Sequence, residues 1–192
     1  LKKVHSIRYP HSLGLFYSAM TQRLNLKPCE EEYILMGMSG WGNAKHSEKI
    51  RSDFFENTKW PKLKKNLHKG IGEYENSWES FNIAASTQDV TEKILEDIFI
   101  QVKKLIPDTD NLVYMGGVAL NCVANSNVVS KMYPNIWIMP NPGDAGSSLG
   151  CAASLYGDKL EWNTAFLGTN IEGKYPVKSA LDLLEKEKII GI

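Results

Sequence analysis

The sequence predicts an α/β fold with parallel strands joined by helical crossovers, and three features of its second half predict it. Two short runs rich in β-branched, aromatic and other apolar residues, 111–115 ("NLVYM") and 135–139 ("NIWIM"), each lead into a glycine-bearing turn. Behind each turn lies a segment of small residues, about 118–132 and 145–156, with the length of a helix. Ahead of the first run, "TQDVTEKILEDIFIQVKKLI" (87–106) places Val90, Ile94, Ile98, Val102 and Leu105 on one helical face. Helix–strand–helix–strand–helix implies parallel pairing. Ligands of such sheets bind beyond the carboxyl ends of the strands, where both turns fall.

The remaining elements follow in order. Ser12 is a good N-cap for a helix carrying Leu13, Phe16, Met20 and Leu24 at helical spacing, and Pro28 stops it. "CEEEYILMGMSGWGN" opens with acidic residues suited to a helix N-terminus and closes in a loop bearing Gly37, Gly40 and Gly42. "HSEKIRSDFFENTKW" reads as a polar helix whose buried edge is Ile50, Phe54 and Phe55. Residues 60–80 show no clear period and are expected to be irregular or short-stranded, and Pro107 and Asp108 end the long helix. A last helix, 177–187, leads into a strand at 188–192 that lies near the first two. The opening at Leu1 rather than Met, and the closing "KEKIIGI", give the expectation of a piece of a longer protein.

Composition narrows the function. The chain has 192 residues, 43% hydrophobic and 23% charged, ordinary values for a globular protein with a real core. Lys+Arg and Asp+Glu both number 22, a balance that argues against broad nucleic-acid backbone binding. No apolar run is long enough to span a membrane. Cys29, Cys122 and Cys151 are odd in number and lack C-x-x-C spacing, so we expect buried thiols and a cytoplasmic, reducing compartment. His5, His11, His46 and His68 read as ordinary surface or capping residues.

The two turns carry the chemistry. A strand ending in Gly116-Gly117 and entering a helix exposes backbone N–H groups beside the positive helix end, where an anion binds. Packing of helix on strand is the plainer reading of the same pair. Asn121, one helical turn further, is within reach of a ribose or phosphate. Neither a P-loop nor the dinucleotide G-x-G-x-x-G is present. In "NPGDAGSSLG", Asp144 stands among small residues, where it either caps the helix or offers its carboxylate to a metal ion. One carboxylate is not a metal site.

"YMGGVALNCVAN" and "PNPGDAGSSLGCAA" together resemble the signature of the O-carbamoyltransferases of nodulation and antibiotic tailoring. "HSLGLFYSAMTQRLNLKPCEEEYILMGMSGWG" and the helix start "FNIAASTQDVTE" resemble further segments of that family, in order, over most of residues 12–150. The resemblance implies a large domain similar to the tRNA threonylcarbamoyl transferases, with the actin/sugar-kinase/Hsp70 fold: a mixed sheet with flanking helices. On it, residues 1–192 would be mostly the second lobe. A first lobe carrying the H-x-x-x-H metal motif and a C-terminal YrdC-like domain would lie outside. The resemblance assigns Gly14, Gly116, Gly117 and Asn121 to the nucleotide part of a carbamoyl-adenylate, and Asp144 to a divalent metal, iron or zinc. Ser18, where the tRNA-modifying relatives carry aspartate, and Glu32, in the acidic stretch, are candidate active-site residues. Ile34 replaces the family's usual lysine, and "M-S-G-W-G" replaces "L-A-P-Y-G".

The implied reaction moves a carbamoyl group, activated from carbamoyl phosphate and ATP, to a small hydroxyl-bearing acceptor. The chain alone is then expected to be inactive, since part of the metal site and the adenylating domain are missing from it. Another phosphotransferase or ATPase of the same fold, and a non-catalytic nucleotide-binding domain, are the alternatives.

Overall fold

The structure, a computed structural model, describes residues 2–158. The expected helix at 177–187 and strand at 188–192 lie outside those residues. Ser12 starts α1 (Leu13–Arg23), its Oγ accepting the Leu15 N–H at 3.3 Å, and Phe16 and Met20 form the buried face. The acidic run leads into α2 (Glu32–Ser39), with Gly40 at its C-cap. In α3 (Ser47–Phe54), Ile50 and Phe54 are buried as their spacing predicts, and Phe55 follows them into the core. Residues 56–79 are irregular apart from one antiparallel bridge between Phe55 and Leu63.

The long helix α4 (Ser80–Leu105) begins about two turns before the predicted start. Its first turns bury the polar Asn82, Ser86, Thr87 and Gln88 beside Ile83 and Ala84, and these polar residues interrupt the apolar period there. Asn82 Oδ1 accepts the Asn43 N–H at 2.8 Å, and Ser86 Oγ accepts the His46 N–H at 3.1 Å. Further along, Val90 and Ile94 join a core with Phe16, Met20, Leu35 and Phe54. One turn on, Leu95 and Phe99 belong to a second core with Val129 and Tyr133. The helix thus links two apolar clusters.

The second cluster supports the sheet. Strands β1 (Asn111–Tyr114) and β2 (Asn135–Ile138) pair in parallel, with Asn111 opposite Asn135 and Tyr114 opposite Ile138. The predicted strands and their direction are therefore observed. Alternation puts Leu112, Tyr114 and Ile136 on the second core, while Val113 and Trp137 point to the exposed side.

The crossover is not the continuous helix expected over 118–132. It is a 3-10 helix (Gly117–Leu120), a short α5 (Cys122–Ala124), a π-turn (Asn125–Val129) and α6 (Ser130–Met132). Asn121 breaks it: with ψ 88° it leaves helical geometry, and its side chain caps the restart. After β2, a 3-10 turn (Asp144–Gly146) precedes α7 (Ser147–Tyr156). The predicted helix at 145–156 is there, none of its residues buried.

The cysteine expectation is corrected: Cys29, Cys122 and Cys151 are all exposed. Cys29 sits in a turn at φ 65°, Cys122 opens a helical restart, and Cys151 lies on the unburied α7. Among the described residues no helix is long and apolar enough to cross a membrane.

Two predictions arise from this packing. A Cβ on Gly42 would lie 1.9 Å from the Phe81 carbonyl oxygen, a backbone atom that cannot turn aside. Gly42→Ala is expected to cost roughly 1–3 kcal/mol, read as a lowered urea midpoint. The second concerns His46, which stacks on Trp78 at 3.7 Å and has a buried Nε2 with no partner among the described residues. Burial, helped by Lys45 and opposed by Glu75, lowers its pKa, so folding favours the neutral ring. That contribution is complete above the ordinary histidine pKa of about 6.5 and is lost as pH falls through the lowered folded value. His46→Gln should flatten the stability–pH curve below about pH 6.5, and an unchanged slope would contradict this.

Candidate functional site

The two glycine turns meet beyond the carboxyl ends of β1 and β2. The Gly116 N–H donates to the Pro142 carbonyl at 2.8 Å, tying the first turn to the loop that carries Asp144. Gly116 holds φ 101° and ψ 162°, a region open only to glycine, so the first turn could not form with a side chain there. Its N–H is spent on Pro142. The N–H groups of Gly117 and Val118, at the start of the 3-10 helix, have no acceptor among the described residues. Nothing stands within 4 Å of a Cβ built on Gly117. Two free donors beside open space are what a phosphate or other anion requires.

Helix α1 borders this turn. A Cβ on Gly14 would meet the Val118 side chain at 3.6 Å, so the N-terminal end of α1 abuts the turn itself. Ser18, one helical turn further, donates from Oγ to Glu32 Oε1 at 2.5 Å. The same Glu32 oxygen accepts the Cys29 N–H at 2.6 Å, which fixes the carboxylate at the start of α2. Ser18 and Glu32 thus form one hydrogen-bonded pair that joins α1 to α2. Sequence spacing brings neither to the other; the packing of α1 on α2 does.

Asn121 is more occupied than the sequence suggests. It is buried, and its Oδ1 accepts from the Ala124 N–H at 2.9 Å and from Gln88 Nε2 at 3.1 Å. Its Nδ2 donates to Gln88 Oε1 at 3.0 Å. Gln88 also accepts from the Tyr17 hydroxyl at 2.9 Å and donates to Glu92 at 2.8 Å. Burial raises the Tyr17 pKa; the Asn121 amide opposes the rise, while Glu32, Glu92 and Cys122 add to it. Tyr17 is therefore a neutral hydroxyl at physiological pH.

Tyr17, Gln88 and Glu92 were not singled out in the sequence. The run Ala84-Ala85-Ser86-Thr87-Gln88 held a signal: small and polar residues stand where the apolar period of α4 should extend upstream. Such residues on a buried helix face imply a polar partner.

Asp144 is exposed and its carboxylate makes no hydrogen bond or ion pair among the described residues. Gly143 occupies the cap position, so the capping role weighed for Asp144 is not seen. A free carboxylate of this kind fits a divalent cation as a single ligand. Among the described residues no group of three or more His, Cys, Asp and Glu is placed to hold a metal, so Asp144 makes no centre alone. Gly146 shapes the same loop, since a Cβ there would lie 2.2 Å from the Asn141 carbonyl oxygen.

Comparison with known proteins adds to this geometry. Residues 2–153 match the sequence profile of a family described as carbamoyltransferase N-terminus. The chain is 34% identical over 178 residues to an uncharacterized protein of Synechocystis sp., covering 81% of this chain and 29% of that protein. An uncharacterized protein of Methanocaldococcus jannaschii is 29% identical over 194 residues, covering 91% and 36% respectively. Nodulation protein NolO of Bradyrhizobium diazoefficiens is 27% identical over 154 residues, covering 74% and 28%. The chain spans about a third of the length of these relatives.

Proposed function

We propose that this chain, which belongs to the carbamoyltransferase N-terminal family, forms the nucleotide-holding part of an O-carbamoyltransferase acting on carbamoyl-adenylate. The observation that carries the reading is the joined pair of turns. Gly117 and Val118 offer free N–H groups beside open space, and the Gly116–Pro142 bond ties them to the loop bearing Asp144. A donor anchored by its phosphate at the first turn would lie close to the second. The parallel strand pair with flanking helices is compatible with an actin-like lobe, which the proposal adopts. The first lobe and a YrdC-like adenylating domain would then belong to the same, longer protein.

In the proposed reaction the acceptor hydroxyl oxygen forms a bond to the carbamoyl carbon. The bond from that carbon to the adenylate oxygen breaks, AMP leaves, and the hydroxyl proton passes to a base. A metal held in part by Asp144 would polarise the carbamoyl carbonyl. The chain's own residues bind and orient. The turn N–H groups balance the phosphate charge that grows as AMP departs. Gly14 keeps α1 close to the turn. Ser18 and Glu32 present a fixed polar edge between α1 and α2, suited to hydroxyl groups of the donor ribose or of the acceptor.

The experiment uses the whole protein with ATP and carbamoyl phosphate. Pyrophosphate release that depends on carbamoyl phosphate, followed by AMP on addition of alcohols, is the expected result. ADP instead would favour a phosphotransferase. No turnover with retained nucleotide binding would favour a non-catalytic domain.

A further inference from the structure

We propose that Gln88 is the positioning residue of the Gly116–Gly117 turn, acting through the side chain of Asn121. The residue is 4% exposed and sits in the interior of α4, where the backbone is already satisfied by the helix. Its side-chain amide meets three others: Tyr17, Asn121 and Glu92.

The orientation of each amide follows from groups that cannot change role. The Glu92 carboxylate only accepts, so it draws Gln88 Nε2 toward itself at 2.8 Å. That leaves Gln88 Oε1 to face the Tyr17 hydroxyl and Asn121 Nδ2. The Ala124 N–H only donates, so it fixes Asn121 Oδ1. The two amides then close a reciprocal pair at 3.0 and 3.1 Å with one assignment of oxygen and nitrogen. Asn121 ends the 3-10 helix of the turn and caps α5, so the pair pins the junction between them to α4. An apolar residue at 88 would leave the Asn121 amide and the Tyr17 hydroxyl buried without this partner.

The turn itself is not part of the pair; Gln88 touches it only through Asn121. The consequence for nucleotide affinity rests on the function proposed above, whereas the consequence for the turn's rigidity does not. The test therefore reads both, in the whole protein. Gln88→Met keeps length and removes both polar groups. Amide hydrogen exchange at the hydrogen-bonded Ala119, Asn121 and Ala124 N–H groups should quicken about tenfold relative to β1, the loss expected for a buried hydrogen bond. AMP affinity should fall by a similar factor.

Gln88→Glu gives a signature that packing alone would not. Ionised, the new carboxylate faces Glu92 and loses both donors; protonated, it regains one donor and one acceptor. Exchange and AMP affinity of this variant should approach wild type as pH falls. Glu92→Gln, a milder change on a half-buried residue, frees the Gln88 amide to flip and should quicken exchange about threefold. Unchanged exchange at the Ala119, Asn121 and Ala124 N–H groups in Gln88→Met, or in Glu92→Gln where Gln88→Met does not fold, would overturn the proposal. So would a Gln88→Glu defect independent of pH. Wild-type protein that fails to bind AMP while Gln88→Met shows the faster exchange would refute the nucleotide reading and leave the positioning role standing.

Discussion

Asp144→Asn in the whole protein is expected to lower bound divalent metal and reduce carbamoyl transfer by roughly a hundredfold or more, since a Lewis acid supplies several kcal/mol. Folding stability should change by less than about 0.5 kcal/mol, as for surface substitutions. The asymmetry follows from the side chain's position. Asp144 is exposed, bonds to nothing among the described residues, and caps no helix. Its carboxylate has no internal role that asparagine would disturb. Pyrophosphate release from ATP and carbamoyl phosphate should continue, because the proposed function places adenylation in another domain. Metal content by elemental analysis and transfer by product assay decide the matter. Normal values of both would remove Asp144 from the site.

Gly117→Val should weaken AMP binding by about tenfold to a hundredfold, the loss of one charge-assisted hydrogen bond. The branched Cβ enters the space a phosphate must share with the Gly117 N–H. The fold should tolerate it: nothing lies within 4 Å of that Cβ, and Gly117 does not share the positive φ of its neighbour. Gly116→Ala is the contrasting change. At φ 101° it strains the backbone directly and should lower the unfolding midpoint. A Gly117→Val protein with full AMP affinity would return the pair to a packing role.

The sequence and structure agree where local rules govern. Ser12 caps α1, Ile50 and Phe54 face the core, and the two β-rich runs pair in parallel. The cap and the helix faces depend on residues close in sequence, and the parallel pairing on the crossover between the two strands. The departures come from tertiary partners. The first turns of α4 bury Asn82, Ser86 and Gln88 beside Ile83 and Ala84, and each of the three polar side chains is matched by a group from another segment. The 118–132 helix is broken at Asn121 because that side chain serves the backbone and Gln88 together. The exposure of Cys151 follows from α7 burying none of its residues. Within the candidate site, the glycines and Asp144 were legible as turn chemistry. The contact of Ser18 with Glu32 and the engagement of Asn121 were not, since packing of α1, α2 and α4 creates them.

The central claim is that the first glycine turn holds the nucleotide. Amide hydrogen exchange of the whole protein with and without AMP tests it most directly. Gly117 and Val118 have free N–H groups beside open space, so bound AMP should slow their exchange at least about tenfold, with smaller effects on α3. AMP that binds without protecting Gly117 and Val118, or that does not bind, would contradict the account.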